Sequence, residues 1–282
     1  VAIDPRVVSV GITINDELHT FESLAISAQG SKYASATQNE TIIKIANISK
    51  SARDFLATEG SPFNRLRNRK RQKVFIDAGR VSTGTTRIFS GDITLVNLSQ
   101  PPDIWTEIRA ITGQFDKGKI ISVSGGAQTS LSALSKKVAD SLGLTLQFSA
   151  TEAQIPNYGF TGAAAKQVER LAELSGPAGV DVFVDDETLV VKDTNAPISG
   201  EVRTIDAATG MVGMPEFTDF GVKLRVLFSS RIRVGEQIEL DSKFYPATNG
   251  RYIIYKLSFD ISSRDQPFYY IVEARRAGGI IA

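Results

Sequence analysis

Along residues 1–115 apolar and polar positions alternate with period two. Val8, Val10, Ile12 and Ile14 fall on one face, and Ser9, Gly11 and Thr13 on the other, as in a strand with one face in a core. Leu24, Ile26 and Ala28 repeat the pattern, and Ile43 and Ile45 repeat it again before Asn47. Ser49 then stands where its hydroxyl can accept from the free amides of a short helix running to about Leu56. Strands are predicted to resume near Val74–Ile76, Thr86–Leu95 and Trp105–Ile111. Turn-rich pauses separate them at Gly30-Ser31, Gly60-Ser61-Pro62 and Gln100-Pro101-Pro102-Asp103.

Between 116 and 195 the period changes. Leu131, Leu134, Val138 and Leu142 recur at helical spacing, with Thr129 or Ser130 as cap and Gly143 at the left-handed stop. Leu144–Phe148 reads as a strand. A second helix is predicted from a Thr161 cap, with Ala164, Val168, Leu171, Ala172 and Leu174 on its apolar side and Gly176-Pro177 as its end. Val180–Val184 and Thr188–Val191 form a hairpin around Asp185-Asp186-Glu187. Helix then strand occurs twice, the pattern of a small α/β unit with weak internal duplication.

From 196 to 282 the chain is strand again. Val222, Leu224, Val226 and Phe228 share one face. Ile253, Tyr255, Leu257, Phe259 and Ile261 share a second, and Phe268, Tyr270, Val272 and Ala274 a third. Asn249-Gly250 is predicted as a tight reversal, because both residues tolerate positive φ. Apolar faces this long need another layer, or a sheet that curls into a barrel. The expected division is therefore β over 1–115, α/β over 116–195 and β over 196–282.

Charge and composition narrow the function. Thirty-two basic residues against thirty-one acidic ones leave a net charge of +1, which argues against a protein that coats nucleic acid. The absence of cysteine excludes disulfides and thiolate metal sites and fits a reducing cytoplasm. The start, Val1-Ala2-Ile3-Asp4-Pro5-Arg6, has no apolar signal core. No apolar run approaches the roughly 20 residues that span a bilayer. The expectation is a soluble chain outside the general secretory route.

Candidate chemistry is sparse. His19 is the only histidine, so a His-based triad or multi-histidine metal site is ruled out; it reads as a solvated side chain in a turn. Gly79–Thr86 has the glycine spacing of a phosphate loop, but it lacks the lysine and leads into a strand, so it reads as a hairpin loop. Asp185, Asp186 and Glu187 supply few oxygens where calcium takes six to eight, and they read as an exposed turn. No pair of carboxylates can be placed on one site, as glycosidase chemistry would require. No catalytic, cofactor-binding or metal residue is assigned. The sharpest charge cluster is Arg65, Arg67, Arg69, Lys70, Arg71 and Lys73. Neutral total charge and the lack of interleaved aromatics favour a solvated loop or a protein interface over nucleic acid.

Several stretches carry a resemblance. Lys44-Ile45-Ala46-Asn47-Ile48-Ser49 followed by Arg53 is similar to a strand ending in an Asn-Leu-Ser-like turn in phage baseplate hub proteins of the tail protein D-like family. Val74-Phe75-Ile76-Asp77-Ala78-Gly79 resembles that family's strand closing in Ala-Gly, and Ile88-Phe89-Ser90-Gly91-Asp92-Ile93 its Phe-Ser-Gly strand. Asn157-Tyr158-Gly159-Phe160-Thr161-Gly162 before Val168 and Leu171 resembles the start of its middle helix. The hairpin ending Leu189-Val190-Val191, the Gly210–Pro215 turn and the meander after it complete the order. One departure is Phe183, where the family often has Trp or Tyr. The end at Gly278-Gly279-Ile280-Ile281-Ala282 carries no lysozyme, peptidase or spike domain, so cell-wall cleavage is not transferred.

The resemblance implies two tube-like antiparallel β-barrel domains, 1–115 and 196–282, flanking the small α/β domain. It implies a structural protein rather than an enzyme, with no cofactor and no membrane contact. It implies a homotrimer whose ring joins a six-fold tail tube to a three-fold central spike. Other baseplate proteins and the tape-measure protein are implied partners, and DNA passes through the lumen without specific binding. The implied location is the virion tail baseplate, assembled in the host bacterial cytoplasm. The alternatives are a tail-tip or tube component of a non-contractile phage or phage-derived particle, and a glycan-binding adsorption module. The second is disfavoured because Trp105 and most Phe and Tyr residues sit in strand patterns that read as core.

Overall fold

The computed structural model describes residues 4–14, 17–61, 71–102, 104–174, 179–229 and 231–278. The first β unit contains β1 (Arg6–Ile14), β2 (Glu17–Phe21), β3 (Ile26–Tyr33), β4 (Glu40–Ala46), helix α1 (Lys50–Glu59), β5 (Lys73–Arg80), β6 (Gly84–Leu98) and β7 (Trp105–Ile111). Val8, Val10, Ile12, Ile43 and Ile45 are buried, as the alternation requires. The Ser49 side chain caps α1 by accepting from the Ala52 amide. The Gly79–Thr86 stretch is the predicted hairpin: Gly79 pairs with Thr85, and Gly84 turns at φ +75. His19 lies in strand β2 opposite Ile12, not in a turn, though its side chain is exposed. Gly30-Ser31 is not a pause but the middle of β3.

The α/β unit contains β8 (Ile120–Ser124), β9 (Gln128–Ser130), α2 (Leu131–Leu142), β10 (Thr145–Ser149), β11 (Gln154–Pro156), β12 (Gly159–Ala163), α3 (Ala164–Glu173), β13 (Val180–Asp185) and β14 (Thr188–Asp193). Strands β10, β14 and β13 form a three-stranded sheet, parallel between the first two and antiparallel between the last two. Leu131, Leu134, Val138, Leu171, Leu189 and Val191 meet in its core. Ser130 caps α2 through the Ala133 amide, and Gly143 stops it at φ +68. Thr161 does not cap α3. It lies in β12, its hydroxyl 2.8 Å from that of Ser122, and α3 starts three residues later without a side-chain cap. The predicted stop at Gly176-Pro177 lies outside the described residues.

The second β unit contains β15 (Val202–Ile205), β16 (Met211–Thr218), β17 (Gly221–Leu227), β18 (Gln237–Leu240), β19 (Gly250–Ser262) and β20 (Phe268–Arg276). The long face predicted for β19 breaks at a bulge between Ile254 and Lys256. The extra residue shifts the phase, so Tyr252 and Ile254 join Leu257, Phe259 and Ile261 in the core while Tyr255 packs at its margin. Asn249-Gly250 is not a two-residue reversal. Leu240 pairs with Gly250, and the intervening loop holds a short 3-10 turn, Pro246–Thr248. Asn249 closes that loop by accepting from the Ser242 amide at 2.6 Å.

The protein is mainly β with an α/β insert, and its two β units are continuous. Strand β3 of the first pairs with β19 of the second, with Gly30 opposite Phe259 and Ser31 opposite Ser258. The pairing makes a 13-stranded sheet whose main path runs β16-β17-β20-β19-β3-β4-β7-β6-β5-β1-β2, with β18 and β15 branching from β19. One core serves both units, and Phe89 and Phe259 approach across it at 6.5 Å. Among the described residues the path is open from β16 to β2, with no strand pair that closes either unit on itself. No helix of the described residues is long and apolar enough to cross a membrane.

Candidate assembly surfaces

The tip of the β13–β14 hairpin is an exposed turn only at Glu187; Asp185 and Asp186 are drawn inward. It reaches the first β unit, where Lys32 Nζ donates to Asp185 Oδ1 at 2.7 Å and to Asp186 Oδ2 at 2.8 Å. The Ser90 amide donates to Asp186 Oδ1 at 2.8 Å, and the Asn39 side chain donates to the Val184 carbonyl at 3.1 Å. Burial works against the Lys32 ammonium, but the two carboxylates outweigh it and its pKa is raised. Burial raises the Asp186 carboxyl, with Lys32 opposing. Burial, then the nearby Asp185 and Asp186, push the Tyr270 phenol up. This buried cluster fixes the α/β unit to the shared sheet.

A second clasp holds the other end of the same hairpin. Lys192 is fully buried, 3.0 Å from Asp181 Oδ2, and it donates to the carbonyls of Asp193 and Ala196. Burial lowers its pKa, with Asp181 opposing. Arg275 of β20 donates to Asp181 and to the Thr194 carbonyl, tying the segment after β14 to the second β unit.

The basic cluster divides. Arg65, Arg67, Arg69 and Lys70 lie outside the described residues. Arg71, itself exposed, reaches a buried partner: its Nε donates to Asp92 at 2.7 Å and its guanidinium pairs with Asp116 at 3.1 Å. Asp92 also accepts from the Phe115 amide at 2.8 Å. Lys73 pairs with Glu187 at 2.7 Å, which holds the Glu187 carboxyl below its usual range. Arg71 and Lys73 therefore engage this chain's own carboxylates.

Among the described residues, exposed apolar side chains gather elsewhere, on the second β unit. Strand β16 ends the sheet path and carries Val212, Met214 and Phe217 in solvent, Met214 at 63% exposure. Phe220 follows in the turn to β17. Phe217 meets Tyr245 edge to face at 5.5 Å, beside Phe244, which is 81% exposed. Unpaired edges and exposed apolar patches mark contact surfaces. Sequence periodicity missed this edge, because Pro215 and the register shift between Val212 and Glu216 break its alternation. The usable signal was the run of bulky apolar residues among turn formers from Val212 to Phe220. The reading of the aromatics as core fails for Phe115, Phe217, Phe220 and Phe244.

Among the described residues no group of three or more His, Cys, Asp or Glu side chains is placed to hold a metal ion. No curated protein matches the chain in sequence. Its fold is that of solved phage tail proteins. The 43 kDa tail protein of prophage MuSo2 from Shewanella oneidensis aligns at TM-score 0.64 and 10% identity, over 95% of this chain and 97% of that one. A tail protein from Neisseria meningitidis MC58 aligns at TM-score 0.64 and 8% identity, over 96% and 97%. The E. coli c3393 protein aligns at TM-score 0.58 and 10% identity, over 94% and 76%. It is described as a type VI secretion system component with structural similarity to T4 bacteriophage tail proteins gp27 and gp5. The sequence pattern of the baseplate hub gp41 family matches residues 7–274, and the chain accordingly belongs to that family of structural phage tail proteins.

Proposed function

We propose that this chain is the ring-forming hub of a phage baseplate: three copies close into a trimer that joins a six-fold tail tube to a three-fold spike and leaves a bore for DNA. The observation that supports it is the continuous sheet that ends in the apolar edge β16 on one side and β2 on the other. Two unlike edges suit a head-to-tail contact, and head-to-tail contacts generate rings when the rotation closes. The net charge of +1 suits a bore that does not retain DNA. The fold shared with c3393, itself described as similar to the tail proteins gp27 and gp5, supports other tail proteins as partners. The working units are 1–115, 116–195 and 196–282. The basic residues Arg65, Arg67, Arg69 and Lys70 are assigned to an acidic surface of a neighbouring subunit, with Arg71 and Lys73 holding the segment's C-terminal side. The particle is a virion tail assembled in the host cytoplasm.

Mass measurement in solution, alone and with the spike protein, tests this. A trimer that images as a ring with a central passage is the expected result. Met214→Lys with Phe217→Lys should keep the folded chain's circular-dichroism spectrum and yield monomer. A parent that stays monomeric with the spike present, or one that binds glycans as a monomer, would overturn the reading.

A further inference from the structure

Three arginines line one pocket, and among the described residues none of them forms an ion pair. Arg203 comes from β15, and Arg231 and Arg233 from the segment between β17 and β18. Together with Glu201, Val202 and Glu236 they line a cavity of about 310 Å³. Among the described residues no hydrogen bond or ion pair engages the three guanidinium groups, whereas the neighbouring Arg251 and Arg275 both hold carboxylates.

The placement is rigid. Ile232 and Val234 are buried on alternate positions, so Arg231 and Arg233 are held outward by two core anchors. Gly235 follows at φ +84, with Ile198 filling the space a Cβ would need. The Gly235 amide donates to the Ile254 carbonyl at 2.8 Å, and the Ile198 amide donates to the Gly235 carbonyl at 3.0 Å. This locks the arginine-bearing segment against the approach to β15. Glu236 is occupied, accepting from the Ser199 hydroxyl at 2.6 Å. Burial, then the nearby Arg231 charge, lowers the pKa of Arg203, with Glu201 and Glu236 opposing.

We infer that this pocket receives a side-chain carboxylate from an acidic segment of a partner protein. A guanidinium fork matches a carboxylate bidentately, and a preorganised fork loses little freedom on pairing. Nucleic acid fits less well, because a chain of net charge +1 offers no basic track along which successive phosphates could run. The site lies on the second β unit and does not depend on the hub reading.

The test uses the full chain and a labelled, end-capped hexaglutamate peptide as probe, read by fluorescence anisotropy at low salt. Inorganic phosphate and a short single-stranded oligonucleotide serve as competitors. Arg203→Gln with Arg231→Gln should weaken peptide binding about ten-fold or more, as expected for lost charge-assisted pairs. Arg233→Gln, at an exposed position, should weaken it with the melting temperature unchanged, and keeps the test valid if the double variant unfolds. Undiminished binding in Arg233→Gln and the double variant, or no binding by the parent, overturns the proposal. An oligonucleotide that displaces the peptide and depends on the same arginines overturns the carboxylate assignment in favour of phosphate.

Discussion

Lys32 and Asp186 are 154 positions apart in the chain and 2.8 Å apart in space. Their contact joins a strand of the first β unit to the tip of the α/β hairpin, with Asp185 on the same ammonium at 2.7 Å. Burial raises the Asp186 carboxyl even while Lys32 opposes it, and the Asp185 charge beside it adds to the rise. The cluster orients the insert, and its strength depends on protonation.

Lys32→Met should destabilise the protein by about 3 kcal/mol, since it leaves two carboxylates without their cation. Lys32 has a raised folded pKa, so its contribution is complete below the unfolded value of 10.5 and is lost as pH rises through the higher folded value. The parent should therefore lose stability above that point, and the variant should lack this loss. On acidification the gap between the two should shrink, because Asp186 protonates at higher pH than an ordinary aspartate and no longer needs the cation. Urea unfolding across pH gives both curves; parallel curves would show that Lys32 does not carry this linkage.

Arg71 and Lys73 lie two residues apart and should behave differently. Arg71→Ala strands Asp92, whose side chain is 6% exposed, and should cost about 3 kcal/mol. Lys73→Ala removes a pair to the exposed Glu187 and should change stability by no more than about 1 kcal/mol. Urea midpoints at neutral pH separate them, and equal losses would contradict the pairing of Arg71 with a buried carboxylate.

What the sequence disclosed was mostly local. Ser49, Ser130 and Gly143 were legible as caps because each acts on amides or carbonyls within one turn. Val8, Val10 and Ile12 were legible because strand period depends only on neighbours. The failures share a cause, which is that the deciding partner is distant. Asp185 and Asp186 read as solvated because Lys32 could not be paired with them from spacing. Gly30 read as a turn by residue type, while its actual role is to clear the Phe259 ring opposite. Thr161 resembled a cap, but pairing with Ser122 across the β8–β12 ribbon holds it in a strand. The bulge in β19 shifted a face that strict alternation predicted whole. The open edge β16 is a property of sheet order, and no single-strand pattern contains it.

Gly143→Ala should cost about 1 kcal/mol, because the residue sits at φ +68 where a Cβ is strained even with open space around it. Ser130→Ala should cost about 1 kcal/mol at the opposite end of α2. The two ends are separate, so the double variant should approach the sum. Amide exchange should show the loss in α2 before the long sheet; uniform loss across both would mean the insert does not open locally.

The seam between the β units gives the sharpest test of the architecture. A Cβ on Gly30 would lie 2.4 Å from the Phe259 ring and 2.6 Å from the Glu40 carbonyl oxygen. The carbonyl contact cannot be relieved without moving β3 or β4, so Gly30→Ala should cost about 3 kcal/mol, the upper range for overpacking. Gly118→Ala, where nothing lies within 4 Å, should be close to neutral. Adding Phe259→Leu to Gly30→Ala removes the ring clash but leaves the carbonyl, so thermal melting should recover part of the loss. Full recovery would show that the β3–β4 backbone yields freely. Because the seam makes one sheet from two units, Gly30→Ala should also expose the β3–β19 junction to limited proteolysis and weaken the proposed ring in parallel with stability. A variant that melts like the parent would mean that the β3–β19 seam accommodates the added methyl without cost.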